Sequence, residues 1–141
     1  MQEQILFDFL EGRVDPATFS AELAHAQIAP ESWSRRSSGN YLLTPMPEPQ
    51  GIKTAHIIRL IEALEQHALT PEQVAITCFI MEMSPDRFLW DTDDADGERV
   101  ANLVFWLGTA QINYSLTSEN LGKMRNYALT GRNSLGTGGS T

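Results

Sequence analysis

The sequence predicts an all-α fold: a six- to seven-helix, bundle-like domain around a buried central helix at residues 70–83. Three observations lead there. Thr70-Pro71-Glu72-Gln73 carries helix-start chemistry, with Thr70 as N-cap, Pro71 at the first helical position and Gln73 three residues after the cap. The residues that follow, 74–81, are apolar except for Thr77. A helix that is apolar all round is enclosed by its neighbours. Flanking segments repeat apolar residues at helical spacing, as Ile57, Ile61, Leu64 and Ala68 do. Val74, Ile76, Thr77, Phe79 and Ile80 would also suit a buried strand, and the Thr-Pro-x-Gln start decides for helix.

The remaining elements follow in chain order. Residues 2–12 form a first helix with Ile5, Leu6, Phe9 and Leu10 on one face and Gly12 as its stop. Asp15-Pro16 restarts a helix whose inner face is Phe19, Leu23 and Ala26. Residues 29–51 contain Pro30, Pro45, Pro47 and Pro49 and the turn-like Ser37-Ser38-Gly39-Asn40, so a long loop without regular structure is expected there. Residues 53–69 are an amphipathic helix joined through Leu69 to the central helix, which makes the two antiparallel neighbours. Ser84-Pro85-Asp86 opens one or two helical turns through Phe88-Leu89-Trp90. A helix over about 97–109 turns Val100, Leu103, Val104 and Leu107 inward, with Trp106 in the core, and Gly108 ends it. Thr117 or Ser118 caps a last helix with Leu121, Met124, Tyr127 and Ala128 inside and Gly131 as its stop. Residues 1–131 thus read as one helical domain, and the Gly, Ser and Thr of 132–141 as a disordered tail.

Composition narrows the function classes. With 10 basic and 18 acidic residues the net charge is −8. That argues against nucleic acid, whose phosphates need Lys and Arg, and against an anionic membrane surface. It favours a basic protein partner, since acidic surfaces steer basic ones. No membrane-span-length apolar run and no leader-type segment is seen, so a cytoplasmic location is expected. The single cysteine, Cys78, lies in the most apolar run and reads as a buried core residue. Histidines 25, 56 and 67 sit on separate polar faces without metal-ligand spacing and read as solvated surface groups.

One local anomaly stands out. Glu82, Asp86, Asp91, Asp93, Asp94, Asp96 and Glu98 place seven of the eighteen acids in seventeen residues, against the single base Arg87. Part of this is helix-start chemistry, because acids favour the positive end of a helix. A calcium loop of EF-hand type fits the run only in part. With Gly97 at its sixth position, Asp96 and Asp94 fall on ligand positions, but Thr92 and Leu103 fall where the first ligand and the terminal glutamate belong. No metal or cofactor site is assigned. A protein-binding patch is the sharper reading: Trp90, Asp91, Asp93, Asp94, Asp96 and Glu98 combine charge steering with an aromatic anchor. Trp33 is a second loop-borne tryptophan, and Arg35-Arg36 is the only adjacent basic pair. No nucleophile elbow, P-loop or dinucleotide glycine pattern is present, so no residue is assigned a catalytic role.

The segment Phe105-Trp106-Leu107-Gly108 and then Ile112-Asn113-Tyr114-Ser115-Leu116-Thr117-Ser118-Glu119-Asn120-Leu121, following Trp90 and its acids, resembles the C-terminal half of small helical bacterial immunity proteins. These protect a cell from its own nuclease-type toxin in bacteriocin or contact-dependent systems. The opening Ile5-Leu6-Phe7-Asp8-Phe9-Leu10-Glu11-Gly12, with Phe19, is similar to their first helices. The resemblance implies a non-catalytic inhibitor whose acidic face, around Asp91–Asp96, blocks a basic toxin or nuclease. The proline-rich 29–51 segment departs from that compact pattern. Two other functions fit the sequence: a metal-dependent or acid–base enzyme using the 91–98 carboxylates, and a subunit that oligomerises through an apolar helix face.

Overall fold

A computed structural model of the chain describes residues 1–26, 42–110 and 113–135. Trp33, Arg35 and Arg36, Ile112, and residues 136–141 of the glycine-rich tail lie outside the described residues. Six α-helices are seen among the described residues, with one two-stranded ribbon: α1 (Glu3–Leu10), α2 (Pro16–Ala26), β1 (Gln50–Gly51), α3 (Thr54–Glu65), α4 (Pro71–Met83), β2 (Phe88–Leu89), α5 (Ala95–Gly108) and α6 (Ser118–Thr130). The protein is all-α in the sense the hydrophobic periodicity predicts.

Local chemistry explains most helix ends. Asp15 caps α2 by accepting the Thr18 N–H at 2.7 Å. At α4, Thr70 Oγ1 accepts the Gln73 N–H while Gln73 Oε1 accepts the Thr70 N–H, a reciprocal box that satisfies two otherwise orphaned donors. Asp94 caps α5 by accepting the Gly97 N–H, and Thr117 caps α6 by accepting the Asn120 N–H. Gly131 closes α6 at φ 78°, a left-handed conformation that costs glycine nothing sterically.

The core forms where the apolar stripes meet. Leu6, Phe9, Phe19, Ile57, Leu60, Ile61, Ile80, Met81, Leu103 and Leu107 are fully buried. Phe9 and Phe19 stack at 4.5 Å between centroids and join α1 to α2. Helix α3 packs against α1, α4, α5 and α6, while α4 packs chiefly against α5. Helix α4 buries Val74, Thr77, Cys78, Ile80 and Met81 and leaves Phe79 on the surface, 44% exposed. The thiol of Cys78 is buried, and burial pushes its pKa well above the ordinary thiol range, as expected of an inert core cysteine.

Four sequence expectations are corrected. Helix α3 stops at Glu65, not Leu69, because the chain reverses through His67 at φ 57° to reach α4. The Ser84-Pro85-Asp86 start yields a single turn, in which Ser84 C=O accepts the Arg87 and Phe88 N–H groups, and the chain then enters β2. Trp106 is only half-buried, edge-on to Tyr114 and tilted against Tyr127. The described part of the 29–51 segment is ordered by long-range bonds: Thr44 pairs with the chain start, Met46 is buried, and β1 runs parallel to β2 with Gln50 opposite Phe88 and Gly51 opposite Leu89. At the other end Leu135 is buried against the core, four residues past the α6 stop.

The first turn of α5 is held against the preceding 91–94 turn. A Cβ on Gly97 would lie 1.9 Å from the Asp91 carbonyl oxygen, which no side chain can tolerate. Gly97→Ala is expected to lose about 3 kcal/mol or more, because backbone and not a flexible side chain must move. Urea unfolding of the purified variant checks this; an unchanged midpoint would contradict the packing described.

Candidate functional site

An open groove of about 810 Å³ lies where the β1–β2 ribbon, the end of α4 and the start of α5 converge. Its wall includes Gly51 and Lys53 from the ribbon side, Glu82 and Pro85 from the end of α4, Leu89 and Trp90 from β2 and beyond, and Asp91, Asp94, Asp96 and Gly97. The acidic run and the groove therefore share one place, although they come from four elements.

The six residues singled out from the sequence do different work here. Trp90 is half-buried and packs against the core, so Leu89, 43% exposed, is the more open apolar side chain. Asp91 accepts the Asp93 N–H at 2.9 Å and shapes the turn before α5. Asp94 is the α5 N-cap, its carboxylate accepting the Gly97 N–H. Asp96 reaches across to α3, where it accepts the Thr54 hydroxyl at 2.8 Å and the Thr54 N–H at 3.3 Å. One carboxylate thus lies in the first turn of α5 and caps the first turn of α3. Asp93 and Glu98 are exposed, and no hydrogen bond or ion pair of their side chains is found among the described residues.

Three groups escape a reading by local pattern. Glu3 is fully buried. It accepts hydrogen bonds from the Met46 N–H at 3.0 Å and the Ser84 hydroxyl at 2.8 Å, and pairs through both oxygens with the Arg87 guanidinium. Burial pushes its pKa up, but the Arg87, Met46 and Ser84 donors outweigh that and hold it below the ordinary carboxylate value. His56 corrects the expectation of a solvated surface group: it is 8% exposed. Its Nδ1 accepts the Lys53 N–H, which places the ring proton on Nε2, facing the Glu11 carboxylate. The pair to His56 holds the Glu11 pKa down. With both ring nitrogens engaged, His56 is a strut between α1 and α3. His25 and His67 are exposed as expected.

The third group is Glu82, on the groove wall. The residue as a whole is exposed, but its carboxylate lies against α5 near Gly108, and burial raises its pKa. No ion-pair partner for it is found among the described residues. The sequence counts it among the acids of 82–98 but leaves it out of the 90–98 contact residues, because it closes an apolar helix apart from the dense stretch.

Among the described residues no group of three or more His, Cys, Asp or Glu is arranged to hold a metal ion, and no helix is long and apolar enough to cross a membrane. No family model, curated protein or solved structure matches the chain.

The two carboxylates carry opposite pH signatures. Glu3 has a folded pKa below its unfolded value near 4.5, so its stabilisation is complete above that value and is lost as pH falls through the folded one. Glu3→Gln is expected to cost about 3 kcal/mol at neutral pH by leaving Arg87 without its carboxylate, and to flatten the acid limb of the stability profile. Glu82 has a raised folded pKa, so its protonated form favours folding below about 4.5 and that advantage is lost as pH rises through the folded value. Glu82→Gln is accordingly expected to raise the melting temperature at neutral pH and leave it unchanged at low pH. Thermal unfolding of both variants across pH measures each sign.

Proposed function

We propose that the protein is a non-catalytic, acidic protein-binding module, an inhibitor of the immunity type that occupies the active-site face of a basic toxin or nuclease. One observation carries the reading. The groove joins an exposed apolar side chain, Leu89, to a rim of carboxylates, Glu82, Asp91, Asp94 and Asp96, with Lys53 as the one base in its wall among the described residues. An apolar patch rimmed by one sign of charge is the arrangement that steers and then anchors an oppositely charged protein. The net charge of −8 extends the same field over the molecule. Sequence resemblance to helical immunity proteins supports the partner class.

The roles of the individual acids decide how the reading is tested. Neutralising Asp94 or Asp96 would remove helix caps and confound folding with binding. Asp93 and Glu98 are the clean positions. The source organism's lysate, passed over the immobilised chain at low and then high salt, is expected to yield a basic partner that is retained only at low salt. Asp93→Asn with Glu98→Gln is expected to slow association with that partner severalfold and to flatten its salt dependence, with a loss of stability of no more than about 1 kcal/mol from the charge of Glu98 in the first turn of α5. A partner that binds both forms at equal rates at every salt concentration would refute charge steering.

A second reading has its own support. Phe105 on α5 and Leu129 on α6 are 51% and 64% exposed. Such side chains can seat a second copy of the chain. Light scattering of the wild type and of Leu129→Ser separates self-association from binding to another protein.

A further inference from the structure

The parallel register pairs Gly51 with Leu89, so their side-chain positions share one face of the ribbon. The neighbouring pair, Gln50 and Phe88, has the opposite orientation, and Phe88 is buried in the core. The Gly51–Leu89 face is therefore the outward one, and both residues line the groove, together with Ile52 and Phe88. At Gly51 that lining is bare. A Cβ built there meets no heavy atom within 4 Å, and the backbone is not in the left-handed region that demands glycine. Glycine inside a strand is otherwise unfavourable. Here it opens a side-chain-sized space beside the 43% exposed Leu89.

The walls around that space fix the chemistry of what would fill it. Glu82, Asp91, Asp94 and Asp96 give four carboxylates against Lys53. Three of the four accept hydrogen bonds within the chain, Asp91 from the Asp93 N–H, Asp94 from the Gly97 N–H and Asp96 from Thr54. Glu82 accepts none among the described residues, and Asp91 uses only Oδ1, so these two retain carboxylate oxygens to meet an incoming cation. Glu82 is the more demanding of the two, since its carboxylate is partly desolvated against α5 and has no cation opposite it among the described residues.

We infer that the groove receives a cationic segment of the protein partner, one apolar side chain of which stands over Gly51 against Leu89 while flanking Lys or Arg side chains meet Glu82 and Asp91. This rests on the acidic-module reading and moves its anchor from Trp90 to the Gly51–Leu89 face. Charge complementarity selects a basic occupant. The bare glycine explains how an anchor side chain can lie close to the ribbon backbone without repacking the core.

The test uses the full chain, labelled with ¹⁵N, and a short synthetic peptide of alternating arginine and valine, with the glutamate-and-valine counterpart as control. Amide shifts on adding the basic peptide are expected at Gly51, Ile52, Leu89 and Trp90, weakening with salt, with no response to the acidic peptide. Gly51→Trp fills the space, and it is expected to weaken peptide binding by at least about tenfold, the scale of losing a buried anchor. Leu89→Ser alters an exposed side chain and is expected to weaken binding with an unchanged amide spectrum elsewhere, so the inference does not depend on the tryptophan variant folding. Shifts confined to Asp93 and Glu98 and indifferent to both substitutions would overturn the groove assignment and leave the acidic-module reading in place. No shift with the peptide at about 1 mM, beyond the weakest affinity of interest, would also overturn the groove assignment. The lysate experiment judges the broader reading independently.

Discussion

The structure depends on one buried carboxylate. Glu3 stands in the first turn of α1 and ties together three stretches far apart in sequence: the 44–46 strand-like segment through the Met46 N–H, the end of α4 through Ser84, and the turn into β2 through Arg87. A buried charge is tolerated only when hydrogen bonds and an opposite charge replace its water. Here the replacements come from segments that would otherwise be loops. The bonds also determine where β2 starts, because Arg87, whose side chain pairs with Glu3, offers its carbonyl to the Gln50 N–H of β1. The ribbon, and with it the part of the groove lining it supplies, is therefore positioned from the N-terminal helix.

A second junction holds the opposite side of the groove. Asp94 caps α5, Asp96 caps α3 through Thr54, and Gly97 lets the 91–94 turn close down on α5. Helix α3 has Lys53 at its N-cap position, a residue with no acceptor to offer the first-turn donors, so its cap comes from another helix. Asp94 and Asp96, which the sequence offers both as helix-start residues and as partner contacts, are thus scaffold. Their bonds make the relative placement of α3 and α5 a consequence of side-chain chemistry as well as of apolar packing.

What was legible in the sequence was what local pattern encodes. The Thr70-Gln73 box, Asp15-Pro16, Thr117 and Gly131 mark helix ends by interactions within four residues, and each stands where its local signal places it. Ile57, Ile61 and Leu64 declare a buried face through spacing alone. The rest depended on contacts that no window can contain. Glu3 lies 84 residues from Arg87, Thr54 lies 42 from Asp96, and His56 lies 45 from Glu11. Ser84-Pro85-Asp86 carried a sound helix-start signal, but the pull of Glu3 on Arg87 and the pairing of Phe88 with β1 bend the chain into a strand after one turn. Of the candidate site, the clustering of the acids was visible. Helix-start chemistry accounted for part of them, but which acids are scaffold was not visible, and neither was the placing of Glu82 and Gly51 beside them, which only the fold brings about.

That division changes where the outward field of the molecule originates. Asp94 and Asp96 face the positive ends of α5 and α3, so part of their charge is answered within the protein. Glu98 lies in the first turn of α5 and is partly answered in the same way. Glu82 stands near the C-terminal end of α4, where the helix dipole is negative and adds to its charge rather than cancelling it. Asp86 is drawn to Arg87, but that guanidinium is already shared with Glu3. The acids whose charge is least compensated are therefore Glu82 and Asp91 in the groove wall and Asp93 outside its lining. The acidic stretch, part of which the sequence assigns to helix starts, resolves into a frame of capped helices and a smaller set of carboxylates open at the groove. Specific recognition needs that combination, because a rigid frame fixes the position of the free charges and lowers the entropy lost when a partner pairs with them.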